Sequence, residues 1–270
     1  MKRIYITVDV EEWFHTKWIG TDKITRKDTD IVETTQSLVD LFGTYNVEAT
    51  FFVLGETVYK YPEILGIIQE SGHEIACHGY YHRQYENISD FRKDIKKFKK
   101  EISNTVTGFR IPNFNISEDA LRVIKEEGFS YDSSVVPCWN IPGWYGNPWA
   151  PLHPYRHDFG TGKGKGYIKE VPVSVYPYLR LPGAGGWYIR NCGYSWTYYL
   201  IMLCLQKVHT VVLYIHPWEI SNNNPKIKGV PGHIFRNTGD ITFNRIENLI
   251  KSFLHYTFCR LDTICRLDTV

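Results

Sequence analysis

The chain has 270 residues, a net charge of +2 with both signs spread along its length, and 43% hydrophobic residues. That is enough chain for a sizeable core, one α/β barrel or two ordinary domains. No basic cluster resembles a phosphate-binding stripe, which argues against a nucleic-acid partner. Six scattered cysteines without C-x-x-C pairs are read as free thiols. The longest apolar run, Leu200–Leu205, is too short to span a bilayer. The N-terminus runs straight into a strand without a secretory-type segment, so the expected location is the cytoplasm, with the inner membrane face as an alternative.

In chain order, Ile4–Val10 is apolar and β-branched and reads as a buried strand. It empties into Asp9, Glu11 and Glu12, followed by Trp13, Phe14 and His15. Residues 31–45 have helical spacing, and residues 47–54 give a second buried strand. Residues 56–70 are predicted as one helix with Pro62 in a first turn, ending at Ser71-Gly72. His73–Cys77 is a third strand and leads into His78-Gly79-Tyr80-Tyr81-His82. On a helical turn that spacing sets two imidazoles on one side, about 5–6 Å apart at Cβ, which suits two ligands of one metal ion. Taken alone, such a pair is more often two surface or capping histidines.

Residues 90–103 form a charged amphipathic helix with Phe91, Ile95, Phe98 and Ile102 inward. Strands follow at Thr107–Arg110 and Phe129–Asp132, separated by a helix opening at Ser117 and ending at Gly128. This β-α alternation predicts a parallel sheet. Residues 137–166, dense in proline, glycine and tryptophan, break the rhythm as a long loop insertion. Within it, Gly160–Gly166 carries Lys163 and Lys165 without P-loop spacing and reads as a loop. Then come a strand at Ile168–Val175, a turn at Pro182–Trp187, a helix at Tyr194–Gln206 and a strand at Thr210–Ile215. A polar loop over 219–240 and a helix over 242–258 end the predicted domain, residues 1–258. The tail, 259–270, repeats Cys-Arg-Leu-Asp-Thr and has no assigned role.

In α/β barrels the active site lies at the carboxyl ends of the strands. Asp9 and Glu11, His78 and His82, Arg110, Asp132 and His216 all fall there. Two histidines and a carboxylate form a three-ligand catalytic metal set. A metal so held activates water and polarises a carbonyl, while a carboxylate and a histidine serve as general base and acid. The expected chemistry is metal-assisted hydrolysis of an amide or ester.

Six pieces in order carry a resemblance: Thr7-Val8-Asp9-Val10-Glu11, Ala49–Phe52, His78–His82, Phe109-Arg110-Ile111-Pro112, Tyr131–Ser134 and Leu213–His216. Over residues 4–220 the chain resembles the polysaccharide deacetylases, the NodB-homology group of carbohydrate esterase family 4. The resemblance implies a distorted (β/α) barrel of about seven parallel strands. It also implies removal of N-acetyl groups from amino-sugar polymers, with a divalent cofactor, zinc first and cobalt or another second. By position, Asp9 is the base, His78 and His82 are metal ligands, Arg110 orients Asp9 and His216 is the acid. Asp132 sets the tautomer of His216 or braces Arg110. Where the family places a second aspartate stands Val10; strand alternation puts Asp9 and Glu11 on one face and favours Glu11 over Glu12 as the acidic ligand. Asn113 follows Arg-Ile-Pro, and its N–H is a candidate oxyanion donor. Trp13, Trp187 and Trp218 are candidate sugar-stacking rings, with plain packing as the other reading. The Asp-Val-Glu-Glu-Trp-Phe-His form resembles the bacterial subgroup linked to exopolysaccharide and surface-glycan assembly. The expected partner is therefore an acetylated amino-sugar polymer or a lipid-linked precursor. Val10 leaves open a metal-poor, glycan-binding barrel, and the barrel itself leaves open a non-sugar amide.

Overall fold

A computed structural model describes residues 2–16, 19, 29–160, 166–225 and 227–266. Strand β1 (Arg3–Val10) is buried throughout except at its first residue, as an apolar run covered on both faces must be. Helix α1 (Ile31–Thr44) lays Leu38, Val39 and Phe42 on the sheet and returns the chain to β2 (Ala49–Val53). Helices α2 (Gly55–Lys60) and α3 (Glu63–Glu70) precede β3 (Glu74–Cys77). The single helix expected over 56–70 is thus two. Tyr61, ahead of Pro62, has φ −127° and ψ 71°, because the proline ring crowds its predecessor out of the helical region.

Helix α4 (Ile88–Glu101), capped by the Asn87 side chain, buries Phe91, Ile95 and Phe98. After it come β4 (Gly108–Phe109), α5 (Glu118–Glu126) and β5 (Tyr131–Asp132). The insertion contains a strand that the sequence did not reveal, β6 (Tyr155–Asp158), which pairs antiparallel with β7 (Tyr167–Glu170). Its burial alternates with polar side chains in between, so no apolar run marks it. Lys163 and Lys165 lie outside the described residues. The predicted turn at Pro182–Trp187 opens into a short helix, α6 (Gly186–Asn191), followed by α7 (Tyr194–Lys207) and β8 (Thr210–Ile215). The last helix, α8 (Asp240–Ser252), stops earlier than expected, and β9 (Thr257–Phe258) pairs with the start of β1.

The strands run in the order β6-β7-β5-β4-β3-β2-β1-β8. From β7 to β8 every neighbour is parallel, which gives the seven parallel strands expected. The sheet curls into a distorted (β/α) barrel. Chain beyond β7 closes it: Ser174 N–H donates to the Val212 carbonyl at 3.1 Å, Val212 N–H to Ser174 Oγ at 2.8 Å, and Tyr214 N–H to the Ala184 carbonyl at 3.0 Å.

Residues 259–266 fill the amino-terminal mouth of the barrel. A 3-10 helix, Leu261–Arg266, sends Leu261 and Ile264 among Tyr5, Phe52, Tyr131, Val171 and Val212. Leu261 N–H donates to Thr50 Oγ1 at 2.8 Å, Asp262 N–H to Glu74 Oε2 at 3.0 Å, and Lys169 Nζ to the Ile264 carbonyl at 2.9 Å. The first Cys-Arg-Leu-Asp-Thr unit is therefore a plug. Most of the second lies outside the described residues. Among the described residues no helix is long and apolar enough to cross a membrane.

Candidate metal and catalytic centre

At the opposite, carboxyl mouth, β1 delivers Asp9 and then turns sharply, with Glu11 N–H donating to the Asp9 carbonyl at 2.9 Å. Both carboxylates line one cavity with His78, His82 and His216. His78 and His82 do not sit on a helix. Gly79 adopts φ +80°, a left-handed conformation open to glycine at little cost, and the chain turns back on itself there. Buried Asp94, from α4, accepts the N–H groups of Tyr80 at 2.6 Å and Tyr81 at 3.1 Å and so fixes the loop. The imidazoles are brought together by a carboxylate bracket rather than by helical period.

The ligand atoms of Glu11, His78 and His82 lie within 4.8 Å of one another. His78 Nδ1 is 2.8 Å from the Arg110 carbonyl, which leaves Nε2 facing Glu11 Oε2 at 3.7 Å. His82 Nε2 is 2.6 Å from the same oxygen. The ring of His15 stacks on His82 at 5.3 Å and 8°. Two imidazoles and one carboxylate, each with its outer side anchored, form a donor set that fits a zinc-type divalent ion. Burial pushes the Glu11 carboxyl up, but His82, His216 and His78 outweigh it and hold it well below the usual range.

Arg110 is fully buried. Its Nη1 donates to Asp9 Oδ1 and to Thr7 Oγ1, both at 2.7 Å; Nε donates to the Ser133 carbonyl and Nη2 to Ser133 Oγ, both at 2.9 Å. The guanidinium also lies 4.1 Å from the Phe52 ring centroid. A planar fork satisfied along every edge cannot swing, so Asp9 is held in one orientation.

His216 ends β8 with Nε2 3.3 Å from Glu11 Oε1. Its Nδ1 lies 3.2 Å from Glu219 Oε2, and that oxygen also accepts the His216 N–H at 3.0 Å. Glu219 in turn pairs with Arg190 of α6, Nε to Oε1 at 2.9 Å. Burial opposes a charged His216, yet Glu11 and Glu219 carry its pKa up to about 9.

This corrects one expectation. Asp132 does not reach His216, since Glu219 occupies that place. Nor does it bond Arg110, which Ser133 braces. Asp132 instead accepts Ser134 N–H at 2.9 Å and Ser134 Oγ–H at 2.8 Å and is bonded to Glu170. Burial pushes both carboxyls up, Glu170 well above the usual range because Asp132 faces it. Asp132 is not among the cavity-lining residues.

Trp13 is a second correction. It packs with Ile19 and Trp218 and is 6% exposed, so its ring fills space beside the site rather than facing a ligand. Asn113, Trp187 and Trp218 do line the cavity. Asn113 and Phe114 stand at φ 62° and 57°, two consecutive left-handed residues that each cost about 1–3 kcal/mol and collect at functional sites. Trp218 stacks on His216 at 5.8 Å and 24°. Glu219 and Arg190 escaped the sequence reading. Glu219 was within reach, being three residues after His216 in a capping-box spacing with Pro217 at the first helical position. Arg190 gave no signal.

A parallel barrel thus brings to its carboxyl mouth a carboxylate–dihistidine set that could hold a metal ion and, beside it, a carboxylate held by an arginine. Residues 2–131 match the Polysaccharide deacetylase family, and residues 133–266 match a Domain of unknown function, DUF3473. Residues 2–131 are thus similar to the polysaccharide deacetylases, the NodB-homology group of carbohydrate esterase family 4 that the sequence motifs resemble. The Peptidoglycan-N-acetylglucosamine deacetylase of Bacillus cereus is 34% identical over 125 residues, 44% of this chain and 43% of that protein. The chain spans about half or less of the length of the curated relatives it matches first. A Mycobacterium smegmatis protein assigned to the polysaccharide deacetylases superposes with a TM-score of 0.67 at 19% identity, covering 98% of this chain and 89% of that one. PuuE allantoinase superposes at 0.65 with 12% identity over the same shares. These likenesses show the fold.

Proposed function

We propose that the protein is a metal-dependent deacetylase of N-acetylated amino-sugar glycans, including lipid-linked precursors at the cytoplasmic membrane face. The observation that carries this reading is the convergence of Glu11, His78 and His82 beside the Arg110-held Asp9, with His216 across the cavity. Glu11, His78 and His82 would hold a divalent ion, zinc or cobalt, which would polarise the acetyl carbonyl and activate water. Asp9 takes the proton of the attacking water, its orientation set by Arg110. The Asn113 N–H is the candidate donor to the carbonyl oxygen as charge develops there. His216, poised between Glu11 and Glu219, gives its proton to the departing nitrogen. The amide C–N bond breaks, a C–O bond forms, and the products are acetate and a free amine.

The match of residues 2–131 to the deacetylase family supports the amide of an acetylated sugar; the barrel alone does not choose the amide, since allantoinase shares it. The test is acetate release from N-acetylglucosamine oligomers and lipid-linked amino sugars by chelator-stripped protein, with and without zinc or cobalt. Release that requires metal supports the reading. Folded protein that holds one metal per chain and releases no acetate refutes it.

A further inference from the structure

The cavity over the catalytic cluster has a volume of about 340 Å3, at the small end of the roughly 300–1,000 Å3 usual for small-molecule sites. Its two sides have different origins. Asp9, Glu11, His78 and His82 come from residues 2–131, the part that matches the deacetylases. Most of the remaining lining comes from residues 133–266, the part matching the family of unknown function, which also supplies His216, while Asn113 and Phe114 come from the first part. Trp144 and Tyr145 belong to the loop after β5, Trp187 and Tyr188 to α6, and His233 and Ile234 to the loop before α8.

These walls are fastened. Ile141 N–H donates to the Tyr145 carbonyl at 2.8 Å and Trp144 N–H to the Ile141 carbonyl at 2.9 Å, closing a tight turn. The Tyr145 ring packs on Phe114 at 5.8 Å, and its hydroxyl is bonded to Tyr188 and Tyr214. The insertion is thereby tied to both α6 and β8. On the far side, Arg190 Nη1 donates to the Ile234 carbonyl at 2.7 Å and Asn191 Nδ2 to the His233 carbonyl at 3.1 Å. The wall loops therefore cannot open without breaking buried bonds.

The wall is also nearly neutral. Among the described lining residues there is no lysine, and the one arginine, Arg190, is matched by Glu219. Aromatic rings and tyrosine hydroxyls suit the C–H faces and hydroxyls of a sugar. Among the described lining residues no lysine and no unmatched arginine faces a carboxylate carried on that sugar.

We propose that residues 133–266, besides supplying His216, form a specificity wall that makes the deacetylase site a pocket for one uncharged N-acetylated amino sugar, free or at a chain end. This rests on the deacetylase reading. A residue inside a polymer needs room for the chain to leave on two sides, more than a cavity of about 340 Å3 with tied-down walls provides. A sugar bearing an acidic substituent would bring an unpaired charge against aromatic rings.

The experiment is to incubate the metal-loaded protein with N-acetylglucosamine oligomers from dimer to hexamer, and with N-acetylmuramic acid as the acidic sugar, and to locate the freed amines by mass spectrometry. The expected result is deacetylation of one terminal residue, a rate independent of chain length, and at least about tenfold slower reaction of the acidic sugar. Trp144→Ala, or Ile141→Ala if the first is unstable, should open the wall and bring in internal residues. Deacetylation of internal residues by the unaltered protein, or rates that climb with chain length, would overturn the wall while leaving the deacetylase standing. Acetate from none of these sugars would overturn both.

Discussion

Replacing Glu219 by glutamine tests the centre most sharply. Glu219 and Arg190 are 1% and 2% exposed, and one carboxylate serves Arg190 Nε at 2.9 Å, the His216 N–H at 3.0 Å and His216 Nδ1 at 3.2 Å. Glutamine keeps the volume, so no cavity forms. Its amide, however, must point an N–H at either Arg190 or the His216 backbone, and either way two donors face each other. Removing one charge of a buried pair costs about 3–5 kcal/mol, mostly the cost of the partner left behind. That is a large share of the roughly 5–15 kcal/mol that holds a domain together. Urea unfolding followed by tryptophan fluorescence should show the loss. Acetate release should fall about 10²–10⁴-fold, the scale of general acid–base catalysis, because His216 loses its anchor. The double variant Arg190→Met/Glu219→Leu removes both charges and should recover much of the stability with none of the turnover. A Glu219→Gln protein that loses less than about 1 kcal/mol and turns over normally would refute this account of His216.

Other outcomes follow from the same contacts. His78→Ala and His82→Ala should lose metal and activity together, measured by metal content and acetate release, while Asp9→Asn should keep metal and lose turnover; an Asp9→Asn protein that loses metal first would reverse the assignment of base and ligand. Truncation after Phe258 should cost about 3–6 kcal/mol from Leu261 and Ile264 alone and leave Glu74 and Thr50 without their tail partners, read by the urea midpoint; an unchanged midpoint would remove the plug. Burial lifts the Glu74 pKa to about 7. A carboxyl raised in the folded state contributes stability below its unfolded pKa of about 4.5 that is lost as pH climbs through 7. Glu74→Gln should therefore flatten stability against pH over that window by about 3 kcal/mol, and an unaltered profile would contradict it. Gly186→Ala places a Cβ on the Glu219 carboxylate and should cost turnover as Glu219→Gln is expected to, read by acetate release.

The chemistry-bearing residues on β1, β4 and β8 were legible because each ends a short apolar strand, and parallel barrels gather strand ends at one mouth. Side-chain alternation on β1 was enough to prefer Glu11 to Glu12, and the geometry places Glu11 against both histidines. Pairs made across the barrel were not legible. Arg190 and Glu219 are 29 residues apart, Asp132 and Glu170 belong to different strands, and Asp94 reaches back to a loop 14 residues earlier. The family resemblance gave Asp132 to His216 or to Arg110, yet pairing of β5 with β7 sets it against Glu170 instead. Trp13 read as either a sugar-stacking ring or plain packing, and packing against Trp218 claimed it. Sequence by itself determined which residues stand at strand ends, since hydrophobic period and turn chemistry are local. Tertiary structure decided which of them touch, and which charge each histidine and arginine answers to, because burial removes water as the alternative partner and leaves only the side chains that the barrel brings within reach.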